Sequence, residues 1–87
     1  MYYIASFKSR AETLRFKKEL DKRNIFAETV PTPKQANIGC GLSVKVNRSH
    51  LIFLKKLIYA LSFSSFVGFF IVKETKEGKM VSLVQVL

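Results

Sequence analysis

Apolar and polar positions change period several times along the chain, and each change marks an element. Tyr2 to Phe7 is rich in aromatic and β-branched residues and predicts a first strand. Ser9-Arg10-Ala11-Glu12 matches a capping box, with Ser at the cap and Glu three residues on, and opens a helix to about Arg23. Thr13, Leu14, Phe16 and Leu20 supply its inner face, in an imperfect stripe. Asn24, which tolerates the left-handed conformation, stops the helix. Ile25 to Val30 reads as a second strand, ended by Pro31-Thr32-Pro33 because proline cannot donate to a ladder. A polar connection then runs from Pro31 to Gly41, long for a compact domain and of the kind that often carries function. Leu42, Val44 and Val46 alternate with Ser43 and Lys45, the pattern of a half-buried strand. Asn47 or Ser49 caps a second helix, whose inner stripe is Leu51, Leu54, Ile58 and Leu61. Ile52, Phe53 and Tyr59 lie off that stripe. Phe66 to Val72 reads as a strand apolar on both faces, with Phe66, Phe70 and Val72 on one and Val67, Phe69 and Ile71 on the other. Lys73 to Lys79 is a polar turn with Gly78 near its end, and Met80 to Leu87 is a final strand hairpinned onto Phe66–Val72.

The order β-α-β-β-α-β plus a terminal strand predicts an α+β, ferredoxin-like split fold, an antiparallel sheet with both helices on one face. The 87 residues fit a single domain, 1–87. A domain this small buries only about 60% of its unfolded surface. The fold leaves one sheet face bare, so a strand apolar on both faces needs a second cover. A homodimer is expected, by sheet-to-sheet packing or through the surplus apolar residues of the second helix. The alternative is that the C-terminal strand and loops cover enough.

The uncharged stretch Leu57 to Val72 raises a membrane span, but it falls short of the roughly 20 residues needed. Ser62, Ser64, Ser65 and Gly68 in its middle fit a helix-to-strand break better. Met1 to Ser6 has no basic segment ahead of an apolar run and so does not read as a signal peptide. The single cysteine excludes an internal disulfide and a cysteine-based zinc site. A cytoplasmic setting is the expectation.

Lys and Arg number 15 against six Asp and Glu, a net charge of +9 that favours an anionic partner. Many of the basic residues fall between Lys8 and Arg23. They read either as a solvated helix face or as a docking surface for nucleic acid or an acidic protein. Val67 to Val72 resembles part of an aromatic RNA-stacking motif, but it falls after the second helix, whereas the expected third strand, Leu42–Val46, has no aromatic residue.

The candidate chemistry centres on Cys40, flanked by Gly39 and Gly41. Glycine on both sides removes side-chain cover and admits positive φ. Lys34, Lys45 and Arg48 flank it in sequence, and nearby positive charge favours the reactive thiolate. Cys40 is thus a candidate nucleophile or sulfur carrier, set against the tendency of free cysteine merely to pack in a core. A carrier that accepts one sulfur or selenium atom needs only one thiol. His50, the only histidine, reads as an exposed helix-start residue rather than a partner of Cys40. Glu12, Glu19, Asp21, Glu28, Glu74 and Glu77 show no acid–base pairing, and neither a metal nor a cofactor is expected.

Ala5-Ser6-Phe7-Lys8-Ser9, Leu14, Leu20, Ile25, Pro31-Thr32-Pro33-Lys34 and Gly39-Cys40-Gly41-Leu42-Ser43 together resemble a family of small bacterial domains described as selenium/sulfur (Se/S) carrier protein-like. The resemblance covers roughly residues 2 to 72. Asn24 departs from a usual Gly, and the tail from Lys73 is longer than the common pattern. The resemblance implies a cytoplasmic accessory carrier rather than a stand-alone enzyme. Cys40 would bear a persulfide or perselenide and Lys34 would steady the anion; beside the resemblance, the residues themselves add Gly39 and Gly41 as shaping the loop and Lys45 as a flanking charge at the site. Its partners would be a cysteine desulfurase-like donor and an acceptor protein. The alternative from another class is a binding module that recruits nucleic acid or an acidic protein through the first helix.

Overall fold

The structure, a computed structural model, describes residues 1–86 apart from the side chain of Gln35. The chain runs β1 (Tyr2–Phe7), α1 (Arg10–Lys22), β2 (Ala27–Pro31), a 3₁₀ turn (Lys34–Ala36) and β3 (Leu42–Val46). A second 3₁₀ turn (Arg48–His50) leads into α2 (Leu51–Ala60), followed by β4 (Phe66–Thr75) and β5 (Gly78–Val84). Among the described residues the strands form one antiparallel sheet in the order β2-β3-β1-β4-β5. This is the arrangement of a ferredoxin-like split fold, extended by β5 on the outer side of β4. Of the final strand expected over Met80–Leu87, Leu87 lies outside the described residues. The hairpin turn is also tighter than the polar stretch suggests, because β4 runs on to Thr75 and only Lys76 and Glu77 separate the strands.

Both helices lie on one face. Phe16 and Leu20 of α1 and Leu51, Leu54, Leu57 and Ile58 of α2 pack in one cluster with Ala5, Phe7, Val44, Val46 and Phe69 of the sheet. At its centre Phe7 lies 5.1–5.4 Å, ring to ring, from Phe16, Phe63 and Phe66. Burying each such ring contributes roughly 1.5–3 kcal/mol. The inner stripe of α2 gains Leu57, while Ile52, Phe53 and Tyr59 remain exposed. The helix ends at Ala60 and the backbone turns through Ser62 at positive φ, so the apolar run from Leu57 is divided between a helix and a strand. No helix of the described residues is long and apolar enough to cross a membrane.

Two local expectations are corrected. Ser9 caps α1 by accepting from the Glu12 N–H at 3.1 Å, but the Glu12 carboxylate does not turn back to close the box. It accepts instead from the hydroxyls and N–H groups of Ser64 and Ser65, and the Ser65 hydroxyl takes the Ser9 N–H. In β4 the pairing with β1 shifts between Ser6 and Phe7. That irregularity turns Phe66 into the helix-side cluster and Val67 to the other face, the reverse of simple alternation.

The second sheet face is covered from within the chain. Ile4, Phe70 and Val72 are buried there, at 0%, 8% and 0% exposure, with Ile38 from the Pro31–Gly41 connection and Val81 of β5 packed against them. The first 3₁₀ turn meets β5 over this face.

Candidate functional site

The connection between β2 and β3 is a closed loop pinned at both ends. The Thr32 N–H donates to the Gly41 carbonyl at 2.9 Å. Beneath it the hydroxyls of Thr32, Ser43 and Ser6 form a buried chain, 2.5 Å and 2.8 Å apart. Such a chain satisfies three groups that would each be costly to bury alone. Ile38 anchors the loop on the second face. Just before it, Asn37 ends the 3₁₀ turn in the left-handed region.

Gly39, at φ +64°, is required by both conformation and space. A Cβ there would lie 2.8 Å from the Phe7 carbonyl oxygen. That close approach lets the Cys40 N–H donate to the same oxygen at 3.2 Å. Gly41, at φ +87°, faces open space and is required by conformation alone. The two glycines therefore fix where Cys40 stands, at the end of β1 and the start of β3.

The Cys40 thiol is free and half-buried. Its Sγ lies 3.6 Å from the Thr13 hydroxyl and 3.5 Å from the Leu42 carbonyl. Thr13 is fully buried in the first turn of α1 and donates its hydroxyl proton to the Ser9 carbonyl at 2.9 Å. With that proton engaged, the Thr13 hydroxyl oxygen and the Leu42 carbonyl are alternative acceptors for the single thiol proton. If the sulfur becomes an anion, the same hydroxyl can turn to donate to it. The bonds of Glu12 to Ser64 and Ser65, together with Lys8 N–H to the Ser65 carbonyl at 2.8 Å, hold the N-terminal end of α1 against the start of β4.

The expected site residues divide. Lys34 is exposed and, with Gly39 and Gly41, lines a small cleft whose lining does not include Cys40, and it makes no hydrogen bond to Sγ. Lys45 is not brought to Cys40. Its neighbours Val44 and Val46 point into the helix-side core, so Lys45 points to the second face, where its ammonium lies 5.2 Å from the centre of the Tyr2 ring. No basic side chain is hydrogen-bonded to Sγ among the described residues. His50 is half-buried rather than exposed, its Nδ1 buried without a partner, and it makes no bond to Cys40. No group of three or more His, Cys, Asp or Glu gathers among the described residues.

Thr13 is the site residue that sequence reasoning places only on an inner helix face. Its role depends on a contact 27 positions away, which no local pattern carries. Part of the basic charge of α1 is engaged. Lys17 pairs with Asp21, Lys22 and Arg23 with Glu19, and Arg15 lies 4.4 Å from the centre of the Phe63 ring while donating to the Leu61 carbonyl.

The family described as Putative Se/S carrier protein-like matches residues 2–63. The chain belongs to that family. No curated protein and no solved structure matches it. The Se/S carrier-like match spans β1 through α2 and includes Thr13, Lys34, Gly39, Cys40, Gly41 and Lys45. It stops at Phe63, short of the resemblance expected through residue 72, so the β4–β5 hairpin lies beyond it.

Proposed function

We propose that the protein carries sulfur or selenium as a persulfide or perselenide on Cys40. The observation behind this reading is the placement of one half-buried thiol on a glycine-set loop, inside the stretch matched by a Se/S carrier-like family. For sulfur, the Cys40 thiolate attacks the outer sulfur of a donor enzyme's persulfide. A new S–S bond forms at Cys40, the donor's S–S bond breaks, and the donor leaves as a thiolate. An acceptor nucleophile then attacks the outer sulfur and releases the Cys40 thiolate. Neither step changes the overall oxidation level, and neither needs a second cysteine. Thr13 donates to the anion in each thiolate state, and Lys34 at the cleft rim supplies positive charge. The donor is a cysteine desulfurase-like enzyme and the acceptor a second protein. A free thiol with this duty suits the reducing cytoplasm.

The test is intact mass after incubation with a cysteine desulfurase and cysteine. The expected result is a gain of one sulfur that reductant removes and that Cys40→Ser abolishes. Thr13→Val should form the adduct several-fold more slowly while remaining folded. A wild-type protein that stays unmodified, with Cys40 resistant to alkylation in the native state, would leave Cys40 a packing residue.

The homodimer belongs to the same reading. The loop and β5 cover much of the second sheet face, which favours the outer face of α2 as the dimer contact. Ile52, Phe53 and Tyr59 there are 60%, 46% and 69% exposed.

A further inference from the structure

On the second sheet face, the loop after β2 and the tip of the β4–β5 hairpin leave a groove of about 580 Å³ between them. Its walls are Val30, Pro31, Pro33 and Gly78, with Tyr2 of β1 among its lining. Three lysines line it: Lys34 from the loop, Lys45 from β3 and Lys79 from β5. Lys45 and Lys79 stand 5.2 Å and 5.9 Å from the centre of the same Tyr2 ring, so two positive charges converge there from different strands. Glu28 lies opposite Lys45 and Glu74 opposite Lys79 in the ladders. Neither carboxylate forms an ion pair with them, and none of the three lysines is paired among the described residues. On α1, by comparison, Lys17, Lys22 and Arg23 are paired with Asp21 and Glu19.

We infer that this groove binds a nucleotide-class small molecule, one planar ring carrying one or more phosphates. Three lysines that form no ion pair, set around a concave site, are complementary to phosphate. Simple anion binding would not require the apolar remainder of the lining. Exposed Pro31 and half-buried Tyr2 and Val30 offer surface against which a flat ring can lie, and the volume falls in the range of small-ligand sites. The groove is bounded on one side by the loop and on the other by the hairpin tip, which suits one compact ligand better than a polymer. The inference uses neither Cys40 nor its chemistry. Lys34 nonetheless lines both this groove and the cleft beside Gly39 and Gly41, so an occupant would sit next to the thiol loop.

Titration of the isotope-labelled protein with AMP, inorganic phosphate and a six-nucleotide RNA, followed by amide NMR shifts, tests this. AMP is expected to give saturable shifts centred on Tyr2, Thr32, Lys34, Lys45 and Lys79, and phosphate alone should bind at least about tenfold more weakly. Lys45→Glu and Lys79→Glu should each weaken AMP about tenfold or more, with Lys45→Gln and Lys79→Gln intermediate. Tyr2→Leu should weaken AMP and leave phosphate unchanged. The inference is overturned by absence of saturation at roughly 10 mM AMP, by equal affinities for AMP and phosphate, or by shifts centred on α1. RNA binding far tighter than AMP would also overturn it, by making the face a nucleic-acid surface.

Discussion

At the scale of single residues, the position of the thiol rests on two glycines that differ in kind. Gly41→Ala meets only the conformational cost of positive φ, about 1–2 kcal/mol. Gly39→Ala meets that cost and also drives a methyl into the Phe7 carbonyl, so the loop must draw away and the Cys40 N–H bond lengthens or breaks. Urea unfolding should therefore show Gly39→Ala to be less stable than Gly41→Ala by roughly a further 1 kcal/mol or more. Equal losses would mean that the contact with β1 does not hold the loop. The Gly39-Cys40-Gly41 triplet is visible in the sequence because glycine flanking is a local signal. The Thr13 contact and the turning-away of Lys45 are not, since both depend on which strand face each residue takes.

At the scale of elements, α1 is joined to β4 through one carboxylate. Hydrogen bonds from the Ser65 hydroxyl, and then from the N–H groups of Ser65 and Ser64, hold the Glu12 carboxyl below its ordinary value of 4.5 against a smaller opposing effect of burial. A depressed carboxylate favours the folded state above its ordinary value, and the contribution is lost as pH falls from there through the folded value. Wild type should thus exceed Glu12→Gln in melting temperature at neutral pH. The gap should close progressively below about 4.5. A constant gap down to pH 3 would assign the effect to packing. Sequence spacing correctly marks Ser9 as the cap of α1. It directs Glu12 to the wrong partner, because Ser64 and Ser65 are remote in the chain and meet the helix end only after β4 joins β1.

At the scale of the molecule, the eleven-residue connection that looks like surface loop in the sequence supplies part of the second core. That lessens the apolar surface available for sheet-to-sheet packing, where Leu83 opposite Phe70 is still exposed, and the outer face of α2 presents Ile52, Phe53 and Tyr59. Light scattering after size-exclusion chromatography should show a dimer at high micromolar concentration that Ile52→Lys converts to a monomer. A monomeric wild type would retire the dimer. If the dimer persists in Ile52→Lys, its interface lies elsewhere, for instance along β5, where Met80 and Leu83 are exposed.

Periodicity and punctuation were enough to establish the order of elements, the α+β class, the bounds of β1 and β3, and Cys40 as the residue to examine. These follow from side-chain alternation, capping and proline or glycine placement, which act within a few residues. The destinations of side chains were settled by packing. The β4 irregularity exchanged the faces of Phe66 and Val67, the loop buried Ile38 over Ile4 and Phe70, and strand register placed Lys45 beside Tyr2 instead of Cys40. Each of these depends on contacts between segments far apart in the chain, where a shift of one residue moves a side chain to the other face of the sheet.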